Sequence, residues 1–363
     1  MKDLYKTINT FMIRTPTFPS NKYFDFFDND TDINNLKDRL FKICSNQNFR
    51  EAILVSSKTL YNTLIDFCNG KEIKKFDYFI QSIYKYLIRM SIRPTPFGLF
   101  SGVDFGEYTD EETLILCEEK SFEKFARPDL EWIVSIVKNL ENEYFDFLTF
   151  KINDGIYIKG NRALLIHSTL KEDNNRIGEI SVRATKPFMR TYELAKDCIE
   201  YNKLKQVLLD EYSNADEETI EKFLKQLIEK EYLISNLRPP LTVLDQFDYI
   251  INELKKLKIQ IPIISDLIDI KNEIDVYNKS LFGKGEELYL DICKKMKDVS
   301  NVKNLLQVDT KLNLKEKKIN KKIISEINNL MNILFKLSMA IENPEPFLSR
   351  YKQEFVEKYG QDR

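Results

Sequence analysis

The stretch RMSIRPTPFGLFSG, residues 89–102, restricts the fold more than any other part of the sequence. Two prolines, Pro94 and Pro96, bracket a threonine there, and proline cannot continue an α-helix because it lacks a backbone N–H. The residue before each proline is also pushed out of the α region. A helix that reaches this stretch must therefore end at it, and Arg93 and Thr95 are held in an extended backbone.

The preceding residues predict the helix that ends there. In FDYFIQSIYKYLIRMSIR, residues 76–93, apolar side chains recur at the spacing of one helix face. Arg89 and Arg93 lie four residues apart, on one side of this helix and away from its apolar face. We expect a rigid segment that presents two guanidinium groups and the hydroxyl of Thr95. The alternative is a helix end whose arginines only interact with the helix dipole and a nearby carboxylate.

The composition favours a large folded chain and argues against several enzyme classes. At 363 residues and 43% hydrophobic content, the chain is long enough for two or three compact units. A single histidine, His167, argues against a Ser or Cys nucleophile activated by imidazole, and its apolar neighbours favour a structural strand residue. Neither GxxxxGK[ST] nor GxGxxG occurs, so neither familiar phosphate-binding loop is present.

The cysteines and the hydropathy predict a cytosolic protein without a zinc site. The five cysteines are scattered and form no CxxC pair, which argues against a disulfide framework and against zinc. No apolar run approaches the roughly 18 residues of a membrane span, and no secretory signal is recognisable. We therefore expect a cytoplasmic location.

The charged residues nearly balance, with 55 basic and 57 acidic side chains and a formal net charge of −2. A polyanionic partner must therefore be bound by a local basic patch, since the field of the whole chain is close to neutral. One cluster of lysines precedes the helix predicted near residue 320: Lys315, Lys317, Lys318, Lys321 and Lys322. Such a cluster is usually a solvated face, and contact with an RNA backbone is the alternative.

Residues 149–236 have the pattern of a winged-helix-like element. TFKINDGIYIKG, RALLIHSTL and GEISVRAT predict three strands, with Asn-Asp-Gly and Gly-Asn turn signals in the first two. Helices predicted at 187–199, 202–212 and 216–231 follow them and lead into the strand-like YLIS. An element of this kind binds DNA, or it binds a peptide by adding a strand to the edge of its sheet.

The charge of the third predicted helix distinguishes these two ligands. Residues 216–231 carry six acidic side chains and three basic ones. The phosphates that line a DNA groove would repel such a helix, so the sequence predicts no DNA partner and favours a peptide.

The rest of the chain is largely helical. After Pro239-Pro240, helices are predicted in LTVLDQFDYIINELKKL, near 283–297 and in NKKIISEINNLMNILFKLSMAIE, and LLQVDTKLNL predicts a short strand. The chain is therefore predicted to be an α+β protein of mixed helices and small antiparallel sheets. We expect three parts: an N-terminal α/β part at 1–148, the winged-helix-like element at 149–236 and a helical part at 237–363.

Several motifs closely resemble those of the lantibiotic dehydratases, in the N-terminal, glutamylating portion of that family. The most specific of them is RMSIRPTPFGLFSGV. Weaker matches occur in the family's order along the whole chain: FMIRTP, RPDLEW, YIKGNR, SVRATKPF, RPPLTVLDQF, QVDTKLNL and FLSRYKQEFVEKYG. On these residues the chain is identified as a member of that family.

The resemblance implies an unusual reaction in lanthipeptide biosynthesis. Enzymes of this family take glutamate from glutamyl-tRNA and esterify Ser or Thr hydroxyls of a ribosomally made precursor peptide. A separate, later domain eliminates the glutamate and leaves a dehydroamino acid. The resemblance implies no cofactor and no metal at the transfer site, because glutamyl-tRNA is the co-substrate.

The resemblance also implies which residues act in the transfer. The matching arginines, threonine and acidic residues of this sequence are Arg14, Arg89, Arg93, Thr95, Asp129 and Asp309. Arg89 and Arg93 are expected to bind anions, and Thr95 is expected to donate a hydrogen bond. Asp129 is expected to orient an arginine or the incoming hydroxyl, although a carboxylate at a predicted helix start is usually only a cap.

The family's relatives also embed an element that binds the leader of the precursor peptide. We expect the leader to lie between the strand at 179–185 and the helix at 216–231, with Glu221 and Glu229 among its contacts. Arg162 and Arg183 are weaker candidates for substrate binding.

In full-length relatives the glutamylation region and the elimination domain continue well beyond the length of this chain, and those relatives look dimeric. We therefore expect a truncated or split form, with a homodimer among its assemblies. Three functions follow from this expectation. They are the N-terminal half of a transferase that needs its C-terminal half in trans, a non-catalytic leader-binding module, and a tRNA-dependent ligase that extends peptide termini.

Overall fold

The computed structural model describes residues 7–26, 33–118, 122–166, 180–257, 259–340 and 346–360. These residues form two compact units, each built from stretches that are distant in sequence. The first unit takes its described residues from Met1–Tyr23, Ile88–Glu123 and Thr310–Arg363, and the second takes them from Phe24–Leu87 and Lys124–Asp309. The arginine motif belongs to the first unit.

Strands occur in both units. Their bounds are β1 (Thr10–Pro16), β2 (Ser101–Thr109), β3 (Leu114–Leu116), β4 (Phe122–Pro128), β5 (Thr149–Ile152), β6 (Ile156–Lys159), β7 (Arg162–Leu165), β8 (Ile180–Arg183), β9 (Ile199–Glu200), β10 (Leu233–Ser235), β11 (Leu306–Leu312) and β12 (Glu316–Asn320). The strand predicted in LLQVDTKLNL is thus found as β11, and the FMIRTP motif lies within β1.

The largest sheet has six strands and is mixed. Its order is β3-β12-β2-β11-β4, and β1 pairs with β2. β2 pairs antiparallel with β1 and parallel with both β11 and β12. Two antiparallel sheets of three strands have the orders β10-β5-β9 and β6-β7-β8. The α+β class is confirmed, but the prediction of small antiparallel sheets alone is wrong, because parallel partners are distant in sequence and local patterns do not reveal them.

Helices connect these strands. Their bounds are α1 (Asn21–Phe26), α2 (Ile33–Cys44), α3 (Gln47–Ser56), α4 (Lys58–Cys68), α5 (Phe76–Ser91), α6 (Leu130–Tyr144), α7 (Lys186–Leu194), α8 (Tyr201–Glu211), α9 (Glu217–Glu229), α10 (Gln246–Lys256), α11 (Ile263–Lys279), α12 (Glu286–Val299), α13 (Lys321–Ala340) and α14 (Pro346–Tyr359). Within the ranges that the structure describes, no helix has the length and apolar character needed to cross a membrane.

The predicted amphipathic helix is α5, but it ends earlier than expected. Its apolar face is buried at Phe79, Ile83 and Met90. The last helical hydrogen bond runs from the N–H of Ile92 to the carbonyl of Ile88 at 2.9 Å. Arg93 therefore lies beyond the helix, because Pro94 excludes the residue before it from the α region. The prediction that Arg89 and Arg93 share a helix face is wrong.

The segment 149–236 contains one more strand than its first three motifs predict. TFKINDGIYIKG forms two strands, β5 and β6, that join different sheets. Between them the side-chain oxygen of Asn153 accepts the N–H of Gly155 at 2.9 Å, and its amide donates to the carbonyl of Glu231 at 2.9 Å. The three helices are found as α7, α8 and α9, and YLIS contains β10. His167 lies outside the described residues.

Trp132 marks the centre of the second unit. Its side chain is fully buried, and its indole N–H donates to the carbonyl of Met296 at 2.8 Å. The ring meets Phe247 edge-on, with the ring centroids 5.5 Å apart. These contacts pack α6, α10 and α12 around one aromatic side chain, so the start of α6 is held on a rigid base.

Candidate functional site

The arginine motif belongs to the first unit and connects the last turn of α5 to β2. Arg89 occupies the last turn of α5. Arg93 and Thr95 lie in the connection that follows, and both are exposed. Because each of them precedes a proline, their backbones are restricted to extended conformations. The two side chains are therefore presented to solvent on a backbone that has little freedom to rearrange.

Strand β1 brings Arg14 to the same unit by pairing with β2. In the register of this pair, Arg14 faces Val103 and Pro16 faces Ser101. The hydroxyl of Ser101 donates to the carbonyl of Thr95 at 2.5 Å. Beyond the strand, the N–H of Phe18 donates to the carbonyl of Met90 at 2.9 Å. Hydrogen bonds thus join the β1 segment to both ends of the motif.

Two glycines of the motif meet specific steric demands. Gly98 has a φ of +53°, a left-handed conformation that most other residues avoid. Its carbonyl accepts the hydroxyl of Thr310 at 2.9 Å. A Cβ on Gly102 would lie 2.7 Å from the side chain of Leu312, so no larger residue fits between β2 and β11 without displacement. The glycines therefore allow the turn and the close strand packing that hold the motif in place.

The side chain of Arg89 stacks on an aromatic ring. The centre of its guanidinium lies 4.2 Å from the centroid of the Phe97 ring. Phe97 in turn stacks on Phe100, with the centroids 5.8 Å apart and an interplanar angle of 14°. The Nε atom of Arg89 is buried and has no hydrogen-bond partner among the described residues. The ring contact is therefore the one that orients this cation.

The three motif arginines have no anionic partners in the part of the chain that the structure describes. The side chains of Arg14, Arg89 and Arg93 form no ion pair with another described residue. This observation argues against the alternative in which the arginines pair with a nearby carboxylate. These three arginines belong to one unit and lack a counter-ion among the described residues, and the guanidinium group is well suited to binding anions.

Asp129 is the N-cap of α6 in the second unit. One of its carboxylate oxygens accepts the N–H of Glu131 at 2.9 Å, and its backbone N–H donates to the carbonyl of Leu305 at 2.8 Å. The capping role that is usual for such a carboxylate is therefore present. The cap also fixes the side chain, so a second role for its charge is compatible with this geometry.

Asp309 pairs with an arginine that the sequence analysis did not single out. Its Oδ2 atom lies 2.9 Å from a terminal nitrogen of Arg127, with both side chains half-exposed. The same oxygen accepts the amide of Gln307 at 3.1 Å. Arg127 stands in the RPDLEW motif, two residues before Asp129. The second unit thus pairs Asp309 with Arg127, which precedes Asp129 by two residues in the chain.

A buried ion pair fixes the strand that carries Arg127. The ammonium of Lys124 donates to Glu51 at 2.8 Å and to the hydroxyl of Ser280 at 2.6 Å, and both charged side chains are 0% exposed. Burial lowers the pKa of Lys124, although the carboxylate of Glu51 opposes this shift. Since side chains alternate along a strand, Lys124 on the inner face leaves Phe125 and Arg127 on the outer one.

A cavity of about 530 Å³ lies beside Arg127 in the second unit. Its walls mix apolar side chains with polar and charged ones, and include Phe125, Arg127, Leu130, Phe247, Lys271 and Gln307. Lys271 is itself paired with Asp248. A cavity of this volume is large enough for a small ligand.

The residues expected to bind the leader lie on the surface of the second unit. Arg162 faces Arg183 across the β7–β8 pair, and its Nε atom donates to the hydroxyl of Ser181 at 3.0 Å. Glu221 on α9 already pairs with Lys205 at 3.0 Å. Glu229 on the same helix is exposed. The candidates therefore occur on both β8 and α9, the two elements between which the leader is expected.

Acidic side chains of the first unit pair with four of the five lysines in the lysine cluster. Lys317 bonds to Asp104 at 3.0 Å, and Lys318 bonds to Glu111 at 2.9 Å. Lys321 bonds to Asp110 at 2.7 Å. These pairs favour a solvated face for the cluster over an RNA contact.

The contacts of Arg127 and Phe97 were not predicted from the sequence. Both residues lie inside motifs that match the family, RPDLEW and RPTPFGLFSG, and these motifs could have indicated them as site residues. Arg127 pairs with Asp309, which is distant in the sequence, and Phe97 contacts Arg89 across a turn. Only the structure reveals these two contacts.

Comparison with known proteins supports the motif-based expectation. A family model described as "Lantibiotic dehydratase, N terminus" matches residues 45–363. The chain is 37% identical over 366 residues to the subtilin biosynthesis protein SpaB of Bacillus subtilis, covering 100% of the chain and 34% of SpaB. It is 32% identical to the epidermin biosynthesis protein EpiB of Staphylococcus epidermidis, covering 99% of the chain and 36% of EpiB. The chain thus spans about a third of the length of these curated relatives.

Solved structures share the fold at lower identity. The tRNA-dependent lantibiotic dehydratase MibB from Microbispora sp. 107891 matches 97% of this chain and 33% of its own, with a TM-score of 0.75 and 21% identity. The glutamylation domain of TbtB, from thiomuracin biosynthesis, matches 77% of this chain and 34% of its own, with a TM-score of 0.53 and 14% identity. The family match and the identity to SpaB over the full chain lead to one conclusion: the chain belongs to the lantibiotic dehydratases, as part of their N-terminal region.

Proposed function

We propose that this chain contributes to a site that transfers glutamate from glutamyl-tRNA to Ser or Thr hydroxyls of a precursor peptide. The observation that carries the proposal is the set of motif arginines that have no ion-pair partner among the described residues. Two relatives support it, since one is described as tRNA-dependent and another as a glutamylation domain. The tRNA phosphates and the carboxylate of glutamate are anions that guanidinium groups bind well.

The proposed step is an exchange of one ester for another. The hydroxyl oxygen of the peptide attacks the carbonyl carbon of the glutamyl ester, and the bond from this carbon to the ribose oxygen breaks. The proton of the hydroxyl leaves with the ribose oxygen, so the reaction needs no oxidant and no second co-substrate. Because the ester is already activated, positioning and stabilisation of the oxyanion are the main tasks of the protein.

The motif residues divide these tasks in our proposal. Arg89 and Arg93 bind anionic groups, and the hydroxyl of Thr95 donates a hydrogen bond. Arg14, on the neighbouring strand, adds positive charge to the same unit. In the second unit, Asp129 orients the incoming hydroxyl or an arginine, and Asp309 holds Arg127.

The segment 149–236 is proposed to bind the leader peptide as a winged-helix-like element. Among the described residues β8 lies at the edge of its three-stranded sheet, and an unpaired edge is the place where an extended peptide adds a strand. Arg183 lies on β8, opposite Arg162 of the neighbouring β7, and the acidic helix α9 supplies Glu221 and Glu229 for basic side chains of the leader.

The leader proposal is tested by reversing charge. The variant with Glu221→Lys and Glu229→Lys should bind a fluorescent leader peptide more weakly in an anisotropy titration. Glu287→Lys, on the exposed side of α12, is the matched control. Unchanged affinity in the double variant would contradict the proposed position of the leader.

The wider organisation is also part of the proposal. The parts 1–148 and 237–363 would carry the transfer chemistry, and the part of the relatives beyond the matched third would complete it. A homodimer and a cytoplasmic location agree with this organisation. The leader-binding module without catalysis is the second candidate, because the free edge of β8 needs no arginine motif to bind a peptide.

The transfer of radiolabelled glutamate to the cognate precursor peptide tests the proposed function. It is measured with this chain alone and with the part of SpaB that the chain does not span, supplied as a separate polypeptide. Label that appears with the second polypeptide and is lost in Arg89→Ala supports the transferase. Tight binding of the leader without any label in either mixture would favour the module.

A further inference from the structure

We propose that Phe97 is a positioning residue that holds the guanidinium of Arg89 ready for an anion. This inference rests on the proposed function, because it assumes that Arg89 binds an anionic part of the substrates. The geometry behind it is the stack of Arg89 on Phe97 at 4.2 Å and of Phe97 on Phe100 at 5.8 Å. All three residues belong to the first unit.

The face of an aromatic ring suits this task better than a carboxylate does. A carboxylate would hold the guanidinium through hydrogen bonds and would occupy the N–H groups that a substrate anion needs. A ring attracts the cation through its quadrupole and uses no N–H group. The Nε atom of Arg89 is buried without a partner among the described residues, so its terminal N–H groups are the ones left for a ligand.

Phe97 is itself fixed by the turn that follows the prolines. Phe100 is 0% exposed and anchors the stack in the core, whereas Phe97 is 41% exposed. The N–H of Phe100 donates to the carbonyl of Phe97 at 3.0 Å, which closes the turn. Gly98 provides the positive φ that this turn contains. The motif PFGLF therefore forms a rigid support that ends in a ring beneath Arg89.

The stack is tested directly by NMR on the full chain. The arginine Nε–H signals are recorded in a proton–nitrogen correlation spectrum, and the Arg89 signal is assigned by its loss in R89K. The ring current of Phe97 should displace the Arg89 proton upfield. The displacement should disappear in Phe97→Leu and persist in Phe97→Tyr. An Arg89 signal that does not move in Phe97→Leu would overturn the proposal.

The effect on glutamate transfer is tested in single-turnover assays. The part of SpaB that this chain does not span is supplied as a separate polypeptide. Phe97→Leu should lose about tenfold in rate at an unchanged melting temperature, and Phe97→Tyr should recover most of it. Phe105→Leu, which replaces an exposed ring elsewhere in the first unit, is the control.

Different failures have different meanings in this assay. A full rate in Phe97→Leu together with a slow Arg89→Ala would overturn the positioning role and leave the proposed function intact. An equal loss in Phe97→Leu and Phe97→Tyr would overturn it as well, because the tyrosine keeps the ring. A full rate in Arg89→Ala would instead contradict the role of Arg89 in the proposed function.

Discussion

At the scale of single residues, the charged groups of the site are held in different ways. Arg89 is oriented by an aromatic ring, and Arg93 is held by the prolines around it. Asp129, by contrast, is committed to a backbone N–H at the start of α6. A substitution at Asp129 therefore changes helix stability and site charge together, and the two effects must be separated.

Asp129 offers such a separation, because asparagine caps a helix about as well as aspartate does. We expect Asp129→Ala to reduce the free energy of unfolding by about 1 kcal/mol and Asp129→Asn to change it little. If the charge acts in transfer, both variants should be slow. The measurements are urea denaturation and the rate of glutamate transfer.

The control for this prediction is another N-cap. Asp216 caps α9 by accepting the N–H of Thr219 at 2.9 Å, and no role in transfer is proposed for it. Its two variants should affect stability alone. A normal transfer rate in Asp129→Asn would show that Asp129 is only a cap.

Asp104 gives the first unit a stability that depends on pH. Its burial would raise the pKa of the carboxyl, but the ammonium of Lys317 and the N–H groups of Phe105 and Leu314 outweigh this effect and lower the pKa. The folded-state pKa is therefore below that of the unfolded chain. The carboxylate adds stability above a pH of about 4, and this contribution is lost as the pH falls further.

Asp104→Asn should remove this contribution. We expect the variant to be less stable by on the order of 2 kcal/mol near neutral pH, and the difference should shrink towards pH 3. Denaturation of both proteins over this pH range measures it. A difference that stays constant with pH would contradict the role of the Asp104 charge.

At the scale of elements, the end of α5 determines where Arg93 points. The helix ends at Ser91 because of Pro94, and the extended connection to β2 begins there. A helix that continued to Arg93 would place this side chain on the surface of α5 and away from Thr95 and the turn at Gly98.

Pro94→Ala should permit this continuation. We expect transfer to slow about tenfold while the free energy of unfolding changes by less than about 1 kcal/mol, because the proline mainly restricts the backbone. Pro240→Ala, in an exposed connection of the second unit, should leave both quantities nearly unchanged. A normal rate in Pro94→Ala would contradict the importance of the extended segment.

Sequence patterns predicted some of these elements and missed others for physical reasons. The periodicity of apolar residues located α5, α9 and α13, since a helix face depends only on neighbours three and four residues away. The pairing of β2 with β1, β11 and β12 depends on residues roughly 100 to 200 positions apart, and no local pattern specifies it. The same distinction applies to the site.

The candidate site was likewise predicted in part. The motif RMSIRPTPFGLFSGV predicted Arg89, Arg93 and Thr95 as site residues, and its prolines predicted an extended segment. The partners Phe97 and Arg127 were not predicted, because a contact between two side chains depends on turns and rotamers that periodicity does not encode.

At the scale of the whole chain, two helices of the first unit expose a large apolar surface. On α13 the exposed apolar side chains include Ile323, Ile327, Leu330, Leu334 and Leu337, and on α14 they include Phe347, Tyr351, Phe355 and Tyr359. On each helix these side chains are spaced three or four residues apart, so they lie along one helix face. Apolar patches of this extent are unusual on a monomeric protein.

This surface predicts strong binding of a hydrophobic dye to the isolated chain. The double variant Leu330→Gln, Leu334→Gln should reduce dye fluorescence without loss of stability, because these side chains are 55% and 46% exposed. Leu241→Gln, in a loop of the second unit, is the control. Dye fluorescence that does not change in the double variant would contradict an accessible apolar face on α13.

The motif arginines are proposed to bind anions in glutamate transfer, and the decisive variant is Arg93→Lys. Lysine keeps the charge but cannot form the two parallel hydrogen bonds of a guanidinium. The measurement is the single-turnover rate of transfer by the chain completed with the remaining part of SpaB, with Arg350→Lys as the matched control. A loss of at least about tenfold in Arg93→Lys alone is the predicted result. A full rate would contradict the account.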